Sequence, residues 1–222
     1  YPKIGVAYFP RTDPGQFYIN LKAPSGTRLE VNEKLVQQVE TICREEVEKG
    51  DLGLIVANIG GFTMDGPLPP AEIRGYYERF ANSLAELDMN GVELIPQTMA
   101  PFPWHFGGQR YQNLFVVIDE IVEWCNRLDL RMCFDVSHSR LTCNHMGVDF
   151  YDFSSKIAPV TAHLHLGDAQ GVNGEGLQVG EGEIDFVRLG RILESGCPDA
   201  SFIPEIWQGH KNGGEGFWVA LD

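Results

Sequence analysis

The chain has 222 residues, 43% hydrophobic and 22% charged, the balance of an ordinary globular protein with room for one large domain or two small ones. Its formal net charge of −14 repels nucleic acid and anionic membrane surfaces. No apolar run approaches the ~20 residues of a bilayer span and no signal-peptide pattern opens the chain, so a cytoplasmic protein is expected.

The predicted elements alternate between strand and helix. KIGVAYF (3–9) is rich in β-formers and stops at Pro10, and a long loop follows through DPGQFYINLKAPSG. VNEKLVQQVETICREEVEKG (31–50) spaces Leu35, Val36, Val39, Ile42, Cys43 and Val47 along one helical face, with Gly50 suited to the C-terminal cap. LGLIVANIGG (52–61) reads as a buried strand. PPAEIRGYYERFANSLAELDMNG (69–91) reads as a helix opened by prolines and closed by Gly91. VELIPQT (92–98) is the next strand, NLFVVIDEIVEWCNRLD (113–129) the next helix, and LRMCFDVS (130–137) a strand that leads to a helix within DFYDFSSKIA. VTAHLHL (160–166), IDFVRLGRILES (184–195) and ASFIPEIW (200–207) continue as strand, helix and strand, and GFWVALD begins a last helix that is interrupted. The cysteines Cys43, Cys125, Cys133, Cys143 and Cys197 lack C-x-x-C spacing, which predicts reduced thiols and neither a disulfide framework nor a zinc knuckle.

Continuous apolar strands linked by crossover helices indicate a parallel sheet covered on both faces. An open doubly wound sheet that binds dinucleotides would carry G-x-G-x-x-G after its first strand, where this chain has RTDPGQFYINL. Polar residues gather at the C-terminal ends of the later strands, where barrel enzymes assemble their chemistry. The fold expected is therefore α/β, a (β/α)8 TIM barrel. Six strand-led units are two short of closure, so we expect a single barrel domain over residues 1–222, cut at both ends, with the first two β/α units missing.

Alternate residues of a strand share a face, so His163 pairs with His165 in AHLHLGD, and Cys133 with Asp135 and Ser137. Ile203, Glu205 and Trp207 follow the same rule. Asp135, His165 and Glu205 then stand on three successive strands at similar depth and present O, N and O donors to one divalent ion. His163, two positions deeper, is expected to be a buried, hydrogen-bonded core group. The competing reading is that all of these are separately satisfied polar groups of the core.

In order and spacing, YFP…YINLKAPSG, LIVANIGG, CFDVSHS, LHLGD, VGEGEIDF and FIPEI together resemble the xylose-isomerase-like TIM barrels of sugar isomerases, sugar-phosphate isomerase/epimerases and keto-sugar epimerases. The resemblance extends to versions fused to sialic-acid-synthase-type polypeptides. The resemblance implies a metal held by Asp135, His165 and Glu205, with Gln97 where the family has a fourth ligand, a glutamate. Glutamine can ligate through its carbonyl but cannot serve as a base. Glu93, on the same face as Gln97, is too deep to substitute.

Further roles follow from the resemblance. Glu205 and His138 would be catalytic, as proton-transfer base and hydroxyl-proton shuttle; from their positions alone, Trp104 and His105 in the loop after the strand of Gln97, and Trp207 after Glu205, are expected to bind substrate. The cofactor would be one divalent metal, Mn²⁺ first, with Zn²⁺, Co²⁺, Mg²⁺ or Fe²⁺ as alternatives. The DNA-repair endonucleases of the superfamily place histidines on two early strands, where this chain has Tyr8 and Asn58, which points away from a three-metal phosphodiesterase. His145 and Cys143 are expected in a loop, Glu181 and Glu183 in a turn, and Asp168 beside a cationic or hydroxyl group. Arg110 and Arg140 are the candidate phosphate contacts.

The activity implied is a metal-dependent isomerase or epimerase acting on a small sugar, with Gln97 favouring one-base isomerisation or an elimination. The alternatives are a non-catalytic carbohydrate-binding or scaffolding domain, and a metal-dependent lyase or hydrolase. The partner expected is a small-molecule sugar, without nucleic acid or membrane, in a homo-oligomer or a fusion to another enzyme domain.

Overall fold

The computed structural model of the chain describes residues 53–221 apart from 65, 88, 90, 106 and 107, together with Lys34, Gln38 and Thr41. Tyr8, Cys43, the strand expected at 3–9 and most of the helix expected at 31–50 lie outside the described residues. In chain order come β1 (Leu54–Ala57), β2 (Phe62–Thr63), α1 (Pro70–Glu86), β3 (Glu93–Pro96), β4 (Trp104–His105), β5 (Gly108–Gln109), β6 (Tyr111–Gln112) and α2 (Ile118–Leu128). There follow β7 (Met132–Asp135), α3 (Val136–Met146), α4 (Phe150–Ile157), β8 (Thr161–Leu166), β9 (Asp168–Gln170), β10 (Gly174–Leu177), α5 (Phe186–Gly196), β11 (Ser201–Pro204) and α6 (Lys211–Leu221).

The long strands form one parallel wall in chain order. β1 pairs with β3, a single bridge from Gln97 to Cys133 joins β3 to β7, and β8 lies between β7 and β11. The short strands make antiparallel excursions at the C-terminal ends of these wall strands: β2 with β6, β4 with β5, and β9 with β10. The helices α1 and α2 cover the wall with a core around Tyr77, which stacks on Trp124 at 5.0 Å and accepts the Phe115 backbone N–H at 2.8 Å. Each large apolar side chain buried there contributes about 1.5–3 kcal/mol. Burial raises the Tyr77 phenol far above its ordinary pKa, which keeps it a neutral hydrogen-bond partner.

Register shows how the wall climbs. Gln97 stands opposite Cys133, Cys133 opposite His163, and Asp135 opposite His165, which faces Ile203 on β11. Barrel strands tilt about 36° to the axis, so residues at one height fall on successively later rungs of the ladder. From Gln97 to Asp135 the climb is two residues, and from His165 to Glu205 two more. Asp135 and His165 therefore share a rung, and Glu205 joins them from two residues further along its strand.

Several boundaries differ from expectation. The strand expected to run to residue 137 stops at Asp135, because the Asp135 side chain accepts the His138 backbone N–H at 2.9 Å and caps α3. Ser137 is therefore in the first turn of a helix, and Cys143 and His145 lie on that helix instead of in a loop. The helix expected from residue 113 begins at Ile118, after a turn in which Phe115 takes a positive φ of 57°. Asn212, Gly213 and Gly214 all have positive φ at the start of α6, so its regular turns begin after them.

Candidate metal centre

The end of each wall strand delivers one polar group. Asp135 terminates β7, His165 is the fifth residue of β8, and Glu205 follows β11, where its N–H donates to the Leu166 carbonyl at 2.8 Å. One ligand atom from each of Asp135, His165 and Glu205 lies within 4.8 Å of the others. Donors about 2.1 Å from a cation are at most about 4.2 Å apart, so a shift of tenths of an ångström closes the set.

The chemistry of the donors agrees with that spacing. His165 Nδ1 lies 2.7 Å from Glu205 Oε2 and 3.8 Å from Asp135 Oδ2. Among the described residues this buried nitrogen makes no well-aligned hydrogen bond, although the Glu205 carboxylate stands at contact distance from it. A cation shared with the two carboxylates would satisfy all three groups. Burial acts to lower the His165 pKa, but Asp135, the Cys133 sulfur and Glu205 beside the ring more than reverse this and hold it well above the ordinary imidazole range. For Asp135 burial acts upward and is outweighed by His138 and His165, which keep the carboxyl below its ordinary range.

A second ring of contacts fixes the first. Gln97 donates its amide Nε2 to Asp135 Oδ2 at 2.6 Å, so it meets the cluster through nitrogen and not through the expected carbonyl. His138 Nδ1 sits 3.1 Å from Asp135 Oδ2 and 3.0 Å from the Thr98 carbonyl. Two acceptors facing Nδ1 place the proton there in the neutral ring and leave Nε2 to face outward. Burial pulls the His138 pKa down, while Asp135, Glu175 and the Thr98 carbonyl raise it further, for a net upward shift. Thr98 Oγ1 accepts the Asp135 N–H at 2.9 Å, tying β7 to the chain just beyond Gln97.

Other expected residues take different places. His163 is buried and bonds through Nδ1 to Ser201 Oγ at 2.7 Å, and burial together with His165 lowers its pKa to about 4. Trp104 and Trp207 are 71% and 73% exposed, and neither packs into the cluster. His105 lies in β4, with its side chain outside the described residues. Arg140 is committed to Glu183 at 3.1 Å, and Arg110 donates to the Gln109 carbonyl at 2.9 Å. Glu93 forms a two-pronged ion pair with Arg131 at the opposite end of the wall.

Among the described residues Asp168 meets backbone N–H groups instead of a cation or a hydroxyl. It is fully buried and accepts the backbone N–H groups of Ala169, Gly180, Gly182 and Ile184 at 2.8–3.1 Å. These bonds hold the VGEGEI loop in place, and Gly182 is required because a Cβ there would lie 2.3 Å from Asp168 Oδ1. Glu175 is the residue that sequence reasoning missed. It stands on β10 with Oε2 3.7 Å from His138 Nε2. The turn that joins β9 to β10 is Gly171–Val172–Asn173, with Gly171 at a φ of 59° and Gly174 already paired with Gln170.

The model of one protein family, described as xylose isomerase-like TIM barrel, matches residues 15–218. The chain belongs to that family. Within the xylose isomerase-like TIM barrels it is similar to the solved structure of a D-tagatose 3-epimerase-like protein, with a TM-score of 0.58 and 18% identity over 81% of this chain and 65% of that one. It is also similar to an L-ribulose 3-epimerase (TM-score 0.54, 13% identity, 78% of this chain and 53% of that one). A third is a 3-keto-D-glucoside 4-epimerase from E. coli (TM-score 0.51, 17% identity, 76% of this chain and 61% of that one). The chain thus spans between about half and two thirds of the length of these structures. No curated protein matches it. Among the described residues no helix is long and apolar enough to cross a membrane.

Proposed function

We propose that this xylose isomerase-like barrel is a metal-dependent isomerase or epimerase of a small sugar. The observation that carries the reading is the convergence of Asp135, His165 and Glu205, one ligand atom of each lying within 4.8 Å of the others. One divalent ion, Mn²⁺ or a similar metal, would be held by these three side chains. It would supply Lewis acidity toward a sugar carbonyl and its neighbouring hydroxyl, making the C–H between them more acidic.

The chain's own groups do the rest. Glu205, half exposed while Asp135 and His165 are buried, is the carboxylate placed to take the carbon-bound proton. His138, with Nδ1 anchored on Asp135 and the Thr98 carbonyl, has its Nε2 beside Glu175 and is the imidazole that would pass a proton between sugar oxygens. Gln97 is a positioning residue that holds Asp135. Trp104, His105 and Trp207 are candidates to line the approach to the sugar.

The test uses D-tagatose, L-ribulose and D-allulose, incubated with the full-length protein and Mn²⁺ and followed by carbon NMR. New isomer signals should appear and should vanish with EDTA. Sugar binding without turnover, under every divalent metal tried, would favour a carbohydrate-binding domain and overturn the enzymatic reading.

A further inference from the structure

We propose that Glu175, on the β9–β10 hairpin, is a second proton-transfer carboxylate, working on the face of the sugar opposite Glu205 and supplying the base that glutamine at position 97 cannot. The inference rests on the isomerase or epimerase reading and sharpens it toward epimerisation. Its foundation is a row of alternating acids and imidazoles. Glu205 Oε2 meets His165 Nδ1 at 2.7 Å, and His165 Nδ1 faces Asp135 Oδ2 at 3.8 Å. Asp135 Oδ2 meets His138 Nδ1 at 3.1 Å, and His138 Nε2 faces Glu175 Oε2 at 3.7 Å.

The two ends of the row differ from its middle. The side chains of Glu205 and Glu175 are 49% and 43% exposed, whereas Asp135 and His165 are almost wholly covered. A sugar arriving over the cluster therefore finds a carboxylate at each end and no carboxylate at position 97. Glu175 is also held firmly. The N–H of the next residue, Gly176, donates to Ser137 Oγ at 3.1 Å, and the Gly176 carbonyl accepts the Trp207 N–H at 2.7 Å. The hairpin is thereby tied both to the first turn of α3 and to the segment just after Glu205. Gly176 is required in this place, with a φ of 65° and only 3.2 Å from a built Cβ to Trp207 N. Rigid support of this kind is what a group needs to hold its position against a substrate.

The carboxyl of Glu175 is shifted upward, first by burial and then by Asp135 and Glu205, against the opposing effect of His138. A carboxyl so shifted keeps its proton to higher pH and suits an acid. The step balances without any oxidant. Glu205 takes the proton from the sugar carbon as that C–H bond breaks, and the electron pair enters the enediolate. Glu175 then gives its proton to the same carbon from the other face, forming the new C–H bond. Glu175 ends as carboxylate and Glu205 as acid, and exchange with solvent resets both.

The experiment places wild-type and Glu175→Gln protein, loaded with Mn²⁺, in D2O with D-tagatose, L-ribulose or D-allulose. Wild type should form the epimer with deuterium at the inverted carbon. In Glu175→Gln, epimer formation should fall about 100-fold, the scale of a lost general acid. Deuterium should still enter the unconverted sugar through Glu205, and metal content and melting temperature should stay unchanged. Glu175→Ala with added formate should regain inversion, which a merely structural role would not allow. Epimerisation at the wild-type rate in Glu175→Gln, or parallel loss of exchange and inversion that formate does not restore, overturns the role of Glu175 alone. Absence of both exchange and inversion in wild type on all three sugars overturns the functional reading and this role with it.

Discussion

Gln97 sets its amide nitrogen 2.6 Å from Asp135 Oδ2, in the corner that a fourth carboxylate would occupy. Replacing it by glutamate sets two carboxylates against each other in a buried place, which destabilises the metal-free protein and strengthens the hold on a cation. Gln97→Glu should therefore melt at lower temperature without metal and bind Mn²⁺ at least about tenfold more tightly, as read by calorimetry. Proton competition gives a second outcome. With the His165 pKa raised, the metal-free imidazole carries a proton at neutral pH, and a cation must displace it. Asp135, held below the ordinary carboxylate range, does not compete there. Apparent metal affinity should then rise with pH, by up to about tenfold per unit while one proton is released. Titration in two buffers of different ionisation enthalpy would count that proton, and a pH-independent affinity would contradict it. Period-two alternation made Asp135, His165 and Glu205 legible in the sequence, because strand geometry fixes which residues share a face. The direction of the Gln97 amide was not legible, since its partners come from β7 and α3.

Between strand and helix the site depends on caps and hairpins. Asp135 both ends β7 and caps α3, so the candidate ligand is oriented by the helix that it starts. Asp168 does comparable work for the loop before α5, accepting four backbone N–H groups through one buried carboxylate. Asp168→Ala would orphan several of these donors at about 1–3 kcal/mol each, so a loss of at least about 3 kcal/mol is expected in chemical denaturation. A loss below about 1 kcal/mol would show that water replaces the carboxylate without cost. These features were hard to read. VSHSRLTCNHM has little apolar periodicity, and its helix exists because of the cap and its packing. The β9–β10 hairpin holds a residue with left-handed backbone at Gly176, and glycine-rich stretches of this kind are easily taken for plain loop. Glu175 was missed for that reason.

Across the whole molecule, the wall of parallel strands was the most legible feature, because apolar strands alternating with amphipathic helices admit few architectures. Its stagger was not legible: Asp135 and His165 share a rung, whereas Gln97 stands two residues before it and Glu205 two residues beyond it. The site is therefore a property of the curved wall, although every side chain in it sits where its own strand ends. The central claim is that this convergence holds one divalent ion. The most direct measurement is elemental analysis of the purified full-length protein, beside Asp135→Ala and His165→Ala, after equilibration with Mn²⁺ and removal of free metal. We expect about one ion per chain in wild type and close to none in either variant, with folding retained by circular dichroism. Equal metal content in all three proteins would contradict the account.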